Sequence, residues 1–399
     1  MSVQQDHGER RRRRSDGLAL LSYGFRPFFL FGSFYAALII LVWLPLFHGT
    51  IALTSAFSPV DWHAHETLFG YGAAIITGFL LTAIPNWTGR MPLRGNPLLA
   101  LLLLWVAGRV AVLASGTIGW VAAAVIDSLF LAAVAAAAAR EIVAGRNWRN
   151  LVVLIPVTVL LAANVLFHVE AAMAGSAGIS YRLGLSAILA LIMIVGGRVV
   201  PSFTRNWLVR ENPGPVPVPF NRFDALVILV SVAALLVWTF APESRLAGGL
   251  LLAAGVLNLV RLARWRGHRT GRDTLVLILH VAYAFIPAGF LLAGMAALEP
   301  LFVPPVAAVH AFGVGAIGTM TLAIMTRATL GHTGRRLHAD AATAGIYAAV
   351  ILAAGLRVAS AFMPGQPGLL HLAAGLWVAA FLGYCLRYGG MLVKPASRS

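Results

Sequence analysis

Six histidines, His63, His65, His168, His280, His310 and His371, lie within or at the edges of long apolar stretches. An unpartnered imidazole in such surroundings is costly, and ionisable groups inside a membrane mark functional sites by default. Neutral imidazole is a usual axial ligand of haem iron and also suits copper. Cys385 is the only cysteine, so no intrachain disulfide and no cysteine-pair metal site can form. Any metal must therefore be held by His, carboxylate, Met or Tyr. Arg109, Arg182 and Arg357 also sit near or within apolar stretches. A haem carries two propionates, and Arg binds carboxylates through charge-assisted, often bidentate hydrogen bonds. The rival role for these arginines is local pairing with Asp127, Glu66 or Glu170, and Arg109 could meet Asp127 across one hairpin. Asp127 is the acidic residue nearest mid-membrane, which makes it a candidate for proton handling, with Tyr283 beside it in that role; a salt bridge is the alternative for Asp127.

The elements that position these residues follow from composition. Only 11% of the 399 residues are charged, against about 25% in soluble proteins, and the apolar residues fall in runs long enough to cross a bilayer as helices. A soluble globular class is excluded. Twelve hydrophobic segments are expected, near Pro27–Phe47, Ala64–Ile84, Leu98–Leu113, Ile118–Ala139, Leu151–Met173, Tyr181–Val200, Phe223–Phe240, Leu246–Leu262, Leu275–Leu298, Val303–Met325, Ala341–Phe362 and Leu369–Tyr388. The fold class is thus all-α integral membrane. The division is an Arg-rich tail (1–26), helices one to six (27–200), a Pro-rich linker (201–222), helices seven to twelve (223–388) and a second tail (389–399). The net charge of +16 suggests a nucleic-acid partner only until the basic residues are mapped. The run Arg10 to Arg14 precedes the first segment, and arginines recur after every second one. All but four of the 30 basic residues (Arg109, Arg182, Arg245 and Arg357) fall on one side. That is the positive-inside pattern, which places both termini in the cytoplasm and makes nucleic acid an unneeded partner.

Topology then sorts the histidines by depth. His63, His65, His168, His310 and His371 share the outer part of the membrane, whereas His280 lies nearer the inner half. Five rings from four helices at one depth suit a haem or copper centre; the alternative is that each ring bonds a backbone carbonyl. Ser58, Pro59 and Asp61 read as a capping box opening the second helix. His63 and His65 are then both helical and diverge by roughly 200°, so they cannot chelate one metal together but can serve two sites. Gly313-Val-Gly315-Ala-Ile-Gly318 spells a dinucleotide fingerprint, yet it lies inside an apolar span and reads as helix packing. Gly70, Gly72 and Gly78 form a smooth face that could take either a flat ring or a neighbouring helix.

The strings Gly24-Phe-Arg-Pro-Phe-Phe29, Trp62-His-Ala-His-Glu66, Gly78-Phe-Leu-Leu-Thr-Ala-Ile-Pro-Asn-Trp-Thr-Gly-Arg90, Leu279-His-Val-Ala-Tyr283, Gly313-Val-Gly-Ala-Ile-Gly-Thr-Met320 and Met325-Thr-Arg-Ala-Thr-Leu-Gly-His-Thr-Gly334 resemble the NnrS family. The resemblance covers nearly the whole chain. It implies a bacterial inner-membrane protein with haem (b-type) and copper, linked to nitric oxide metabolism and nitrosative stress. It also implies that the intramembrane histidines, His280 included, are the metal ligands. The chain lacks the adjacent His-His pair and the His-x-x-x-Tyr motif of haem-copper oxidases, so the shared helix count is analogy only.

The function expected from these readings is binding and reduction or removal of nitric oxide, in the manner of a nitric oxide reductase. Electrons would come from a quinol or other membrane donor, and the gas would arrive through lipid. A non-catalytic haem sensor or store for nitric oxide is the first alternative, and a solute transporter the second.

Overall fold

The computed structural model describes residues 18–395, so the Arg10 to Arg14 run lies outside the described residues. Among these residues the chain is helical, with no strand, and twelve helices are long and apolar enough to cross a membrane. We number them α1 (Phe25–Phe47), α2 (Pro59–Thr88), α3 (Asn96–Leu113), α4 (Trp120–Ala144), α5 (Trp148–Ala174), α6 (Ile179–Glu211), α7 (Arg222–Phe240), α8 (Arg245–Arg269), α9 (Thr274–Leu298), α10 (Pro305–His332), α11 (Ala341–Phe362) and α12 (Pro367–Val393).

Local chemistry explains many of the ends. Ser58, Asn221, Ser244, Asp273 and Asp340 accept backbone N–H bonds at the starts of α2, α7, α8, α9 and α11, filling donors that the first turn leaves open. At α2 the capping box is half made. Ser58 Oγ accepts from the Asp61 N–H at 3.1 Å, but the Asp61 carboxylate turns away to take the Ser58 hydroxyl and the Ala177 N–H. Gly89 and Gly175 end α2 and α5 at φ of 70° and 77°, where a Cβ is disfavoured.

The helix α6 runs eleven residues beyond Val200, straight through Pro201, where a connection is expected. Proline removes one helical hydrogen bond, and tertiary packing of Trp207 and Leu208 on Val276 holds the extension in place. The extended stretch is confined to residues 212–221, and Arg269 pins it by donating to the carbonyl oxygens of Asn212, Pro213 and Pro215.

Burial sorts the helices into a centre and a periphery. The most apolar stretch of α2 is 89% buried, that of α10 67%, and those of α6 and α9 61%, against 28% for α11. Consecutive helices pack on one another, α12 closes against α1, and α6 touches both α2 and α10. Two of the central helices are irregular. Residues Glu66–Gly72 of α2 and Ala311–Gly318 of α10 form π-helical stretches, geometry that recurs at functional sites. Each begins immediately after one of the histidines singled out above.

Candidate functional site

His63 and His65 both lie in the regular α-helical start of α2, Pro59–His65, and so face opposite ways. His65 turns toward α4 and α5. Its Nδ1 stands 2.9 Å from Glu66 Oε1, and its Nε2 stands 2.9 Å from Asn164 Oδ1 and 3.3 Å from Asp127 Oδ2. His168 points its Nε2 at the same Asp127 oxygen, 3.2 Å away. One ligand-type atom from each of His65, Asp127 and His168 lies within 4.8 Å of the others. Asn164 precedes His168 by four residues on α5, so both side chains share a helix face, and its amide donates to Asp127 Oδ2 at 2.9 Å.

Arg109 of α3 completes this cluster as a local partner. Its Nη1 donates to both Glu66 oxygens, at 2.7 and 2.8 Å, and its Nη2 donates to Asp127 Oδ1. The Tyr35 hydroxyl donates to Glu66 Oε2, which it shares with Arg109. Two glycines make room. A Cβ on Gly70 would stand 2.8 Å from Arg109 Nη1, and one on Gly108 would stand 2.7 Å from Asp127 Oδ1. Gly70 therefore serves the ion cluster, while Gly72 and Gly78 pack against Ile188 and the pair Phe28 and Phe29; helix packing accounts for this face. Phe57, in the connection before α2, lies over the rings of His65 and His168 at centroid distances of 5.0 and 5.1 Å.

His63 faces a separate cavity of about 570 Å³, within the roughly 300–1,000 Å³ range of small-molecule and cofactor sites. His310, Arg357, Tyr71 and Trp377 also line it. His63 stacks on Trp43 with centroids 4.4 Å apart, and its buried Nδ1 has no hydrogen-bond partner. His310 Nδ1 donates to the Val306 carbonyl at 2.8 Å, which puts the free lone pair on Nε2, the arrangement of a metal-ligating histidine. Arg357 donates to Ser360 Oγ at 3.0 Å and pairs with no carboxylate among the described residues. Gly313 borders the cavity, and a Cβ there would meet open space. Gly315 and Gly318 instead admit Phe285 and Trp377, so this glycine run combines helix packing with a cavity wall and holds no dinucleotide turn.

A family model described as NnrS protein matches residues 19–396. The chain belongs to the NnrS family. No curated protein matches it. NnrS membership and twelve apolar helices together make this a multi-pass membrane protein of a family linked to metal binding.

The remaining candidates of this NnrS chain fall elsewhere. His371 is exposed, bonds the Pro367 carbonyl through Nδ1 at 2.8 Å and stacks on His48 with centroids 5.2 Å apart. His280 lies away from both sites, its Nε2 2.7 Å from Thr204 Oγ1 on α6. Tyr283 belongs to a buried network in which Arg261 bonds Asp224, the Tyr283 hydroxyl and the Met193 carbonyl. Arg182 caps the end of α7 by donating to the Thr239 carbonyl at 3.1 Å. Of the three arginines considered for propionates, Arg357 alone lines the cavity. Sequence reasoning missed Asn164, Tyr35 and Tyr71. The four-residue spacing to His168 was the available signal for Asn164; nothing in the sequence pointed to Tyr35.

Proposed function

We propose that the cavity between α2 and α10 holds a b-type haem, that the His65–His168 cluster holds copper, and that the protein binds nitric oxide and removes it by reduction. The observation that carries the reading is the convergence of His63, His310 and a carboxylate-free Arg357 on one cavity. The residues fit the group: two imidazoles from different helices with nitrogen lone pairs to give, an arginine suited to a propionate, and aromatic walls. When bound, the haem and copper would supply the binding site for the gas and relay electrons to it. The chain's own part is to hold and orient. Val306 fixes the tautomer of His310, Trp43 sets the plane of His63, and Arg357 neutralises carboxylate charge in a medium where an unpaired ion is costly. Tyr71, bonded to Thr321 of α10, ties the two walls together.

The apolar lining suits an uncharged gas that partitions into lipid. Electrons would come from a quinol or another membrane donor. The basic loops support placing both termini in the cytoplasm of a bacterial inner membrane. Purified protein, supplied anaerobically with nitric oxide and a chemical reductant, is expected to consume the gas and form nitrous oxide. His63→Ala and His310→Ala are each expected to lose the haem absorption bands. A haem-replete protein that shifts its spectrum with nitric oxide but never turns it over would refute the enzyme reading and leave a sensor or store. A preparation without haem or copper would refute the metal reading altogether.

A further inference from the structure

The three helices that border the proposed haem cavity border a second cavity one step further along. The first is lined by residues 60–71 of α2, 305–314 of α10 and the opening turns of α6 as far as Leu185. The second is lined by residues 72–79 of α2, 188–199 of α6 and 317–324 of α10. Alternate spans of a membrane bundle run the same way, so α2, α6 and α10 are parallel and the two cavities lie end to end. Leu185 and Ile188, like Val314 and Ile317, stand three residues apart and continue one helix face from the first cavity into the second.

Tyr71 separates them. Its ring borders the first cavity, Thr321 borders the second, and their hydroxyls are bonded. Thr321 donates its own proton to the Gly318 carbonyl at 2.8 Å, so the tyrosine is the donor in the pair. Edge contacts with Trp377 and Phe381, at centroid distances of 5.9 and 5.2 Å, hold the Tyr71 ring against α12. Tyr71 and Gly318 both lie in the closing turns of the π-helical stretches, so each end of the partition rests on irregular backbone.

The lining limits what the second cavity can hold. Of its side chains only Thr321 has an N–H or O–H group, and that hydroxyl is already engaged on both sides. A buried water needs two to four polar partners, so the site suits neither water nor an ion. Its volume is about 80 Å³, under three times the roughly 30 Å³ that one water occupies in the liquid. A diatomic gas fits that space, and a quinone ring does not. Phe79, Val195, Val199 and Ile324 are only half-buried. The helix α6 packs more closely on the two π-helical stretches than on the turns that follow them, which opens one flank to hydrocarbon. We infer that the second cavity is a binding site for a small uncharged gas on its way from lipid to the haem cavity, with Tyr71 as the barrier between the two. This deepens the proposed function and rests on it for the identity of the gas as nitric oxide; the site itself does not depend on haem.

Xenon is the probe, because dry apolar cavities bind it. Crystals of the full-length protein pressurised with xenon are expected to show the atom in the second cavity, and Gly196→Leu and Val195→Phe should each lose it. A Cβ on Gly196 comes no nearer than 3.7 Å to a neighbour, so a leucine there can fill the cavity without displacing a helix. In solution, flash photolysis of carbon monoxide, a diatomic stand-in, from the ferrous haem reads the rate at which gas returns. Both filled variants should keep their haem and slow the return by about tenfold or more, a barrier raised by about 1.4 kcal/mol. Tyr71→Phe, which frees the ring from Thr321, should quicken it. No xenon in the wild-type cavity, or an acyl chain filling it, would overturn the inference, as would unchanged return rates in both filled variants. An unchanged rate in Tyr71→Phe would overturn its role as the barrier. Should haem be absent from every sample while xenon binds as described, the haem reading fails and the gas site stands.

Discussion

Replacing Arg109 by glutamine tests the ion cluster most directly. The guanidinium serves two carboxylates at once, with Nη1 donating 2.7 and 2.8 Å to Glu66 and Nη2 donating to Asp127. Glu66 is 0% and Asp127 1% exposed, so neither can recover its lost partner from water. Removing one member of a buried ion pair costs about 3–5 kcal/mol, because the charge left behind stays desolvated. Two carboxylates are stranded here, but each keeps a polar contact: Tyr35 donates to Glu66, and Asn164 to Asp127. The expected loss for Arg109→Gln therefore stays near about 3–5 kcal/mol and does not double. Unfolding of the metal-stripped protein in mixed micelles with increasing SDS, followed by helical circular dichroism, gives the number. Adding Asp127→Asn removes one stranded charge, so the double variant should be less destabilised than the sum of the singles by roughly 0.5–3 kcal/mol. A loss under about 1 kcal/mol for Arg109→Gln, the value of an exposed pair, or a cycle that is additive within about 0.5 kcal/mol, would refute the argument.

Three further outcomes are expected. Gly197→Ala places a Cβ against the Arg261 guanidinium, and overpacking of this kind costs about 1–3 kcal/mol; the same unfolding assay should show it, with Tyr283→Phe adding little if the guanidinium has already moved. At the start of α11, hydrogen bonds from the Thr343 hydroxyl and N–H, and then from Arg387, hold the Asp340 carboxyl down at about 2. The unfolded value is about 3.9, so this contribution is complete above that pH and fades as pH falls toward 2; the stability difference between wild type and Asp340→Asn should shrink over that window. His371→Ala, at an exposed ring outside the cavity lining, should leave haem content unchanged, in contrast to His63→Ala.

The twelve spans were legible because each is a continuous apolar run bounded by polar or turn-forming residues, the strongest pattern a sequence carries. The divergence of His63 and His65 was legible for a related reason, since helical geometry alone sends positions two apart to opposite faces. The Arg109–Asp127 pair followed from their places on one hairpin. What could not be read was adjacency between distant helices. Depth along the membrane normal says nothing about position in its plane, so His371 appeared beside His310 although it lies exposed against His48. His280 shows the converse: it belongs to a family-like string, yet its neighbours are Thr204 and Trp265 on α6 and α8. The passage of α6 through Pro201 was hidden because proline signals an end only when nothing downstream packs well enough to hold the helix.

Two polar sites in one apolar layer pose a problem of placement that α2 solves. This helix carries His63, His65, Glu66 and Tyr71 on different sides, and a transmembrane helix polar on several faces cannot border lipid. Its 89% burial is thus a consequence of its chemistry. With α3, α4 and α5 around one face and α1, α6 and α10 around the other, each polar group meets protein in place of hydrocarbon. The π-helical stretch from Glu66 to Gly72 widens the turn at the boundary between the sites and leaves the Gly70 carbonyl to accept from Trp105 Nε1 at 2.9 Å. That departure from regular geometry sends Glu66 to the ion cluster and Tyr71 to the cavity within six residues. The matching stretch after His310 in α10 loosens the opposite wall. Among the described residues, π-helical backbone occurs in the two helices that carry the cavity histidines, which is the distribution expected if that irregularity serves the sites.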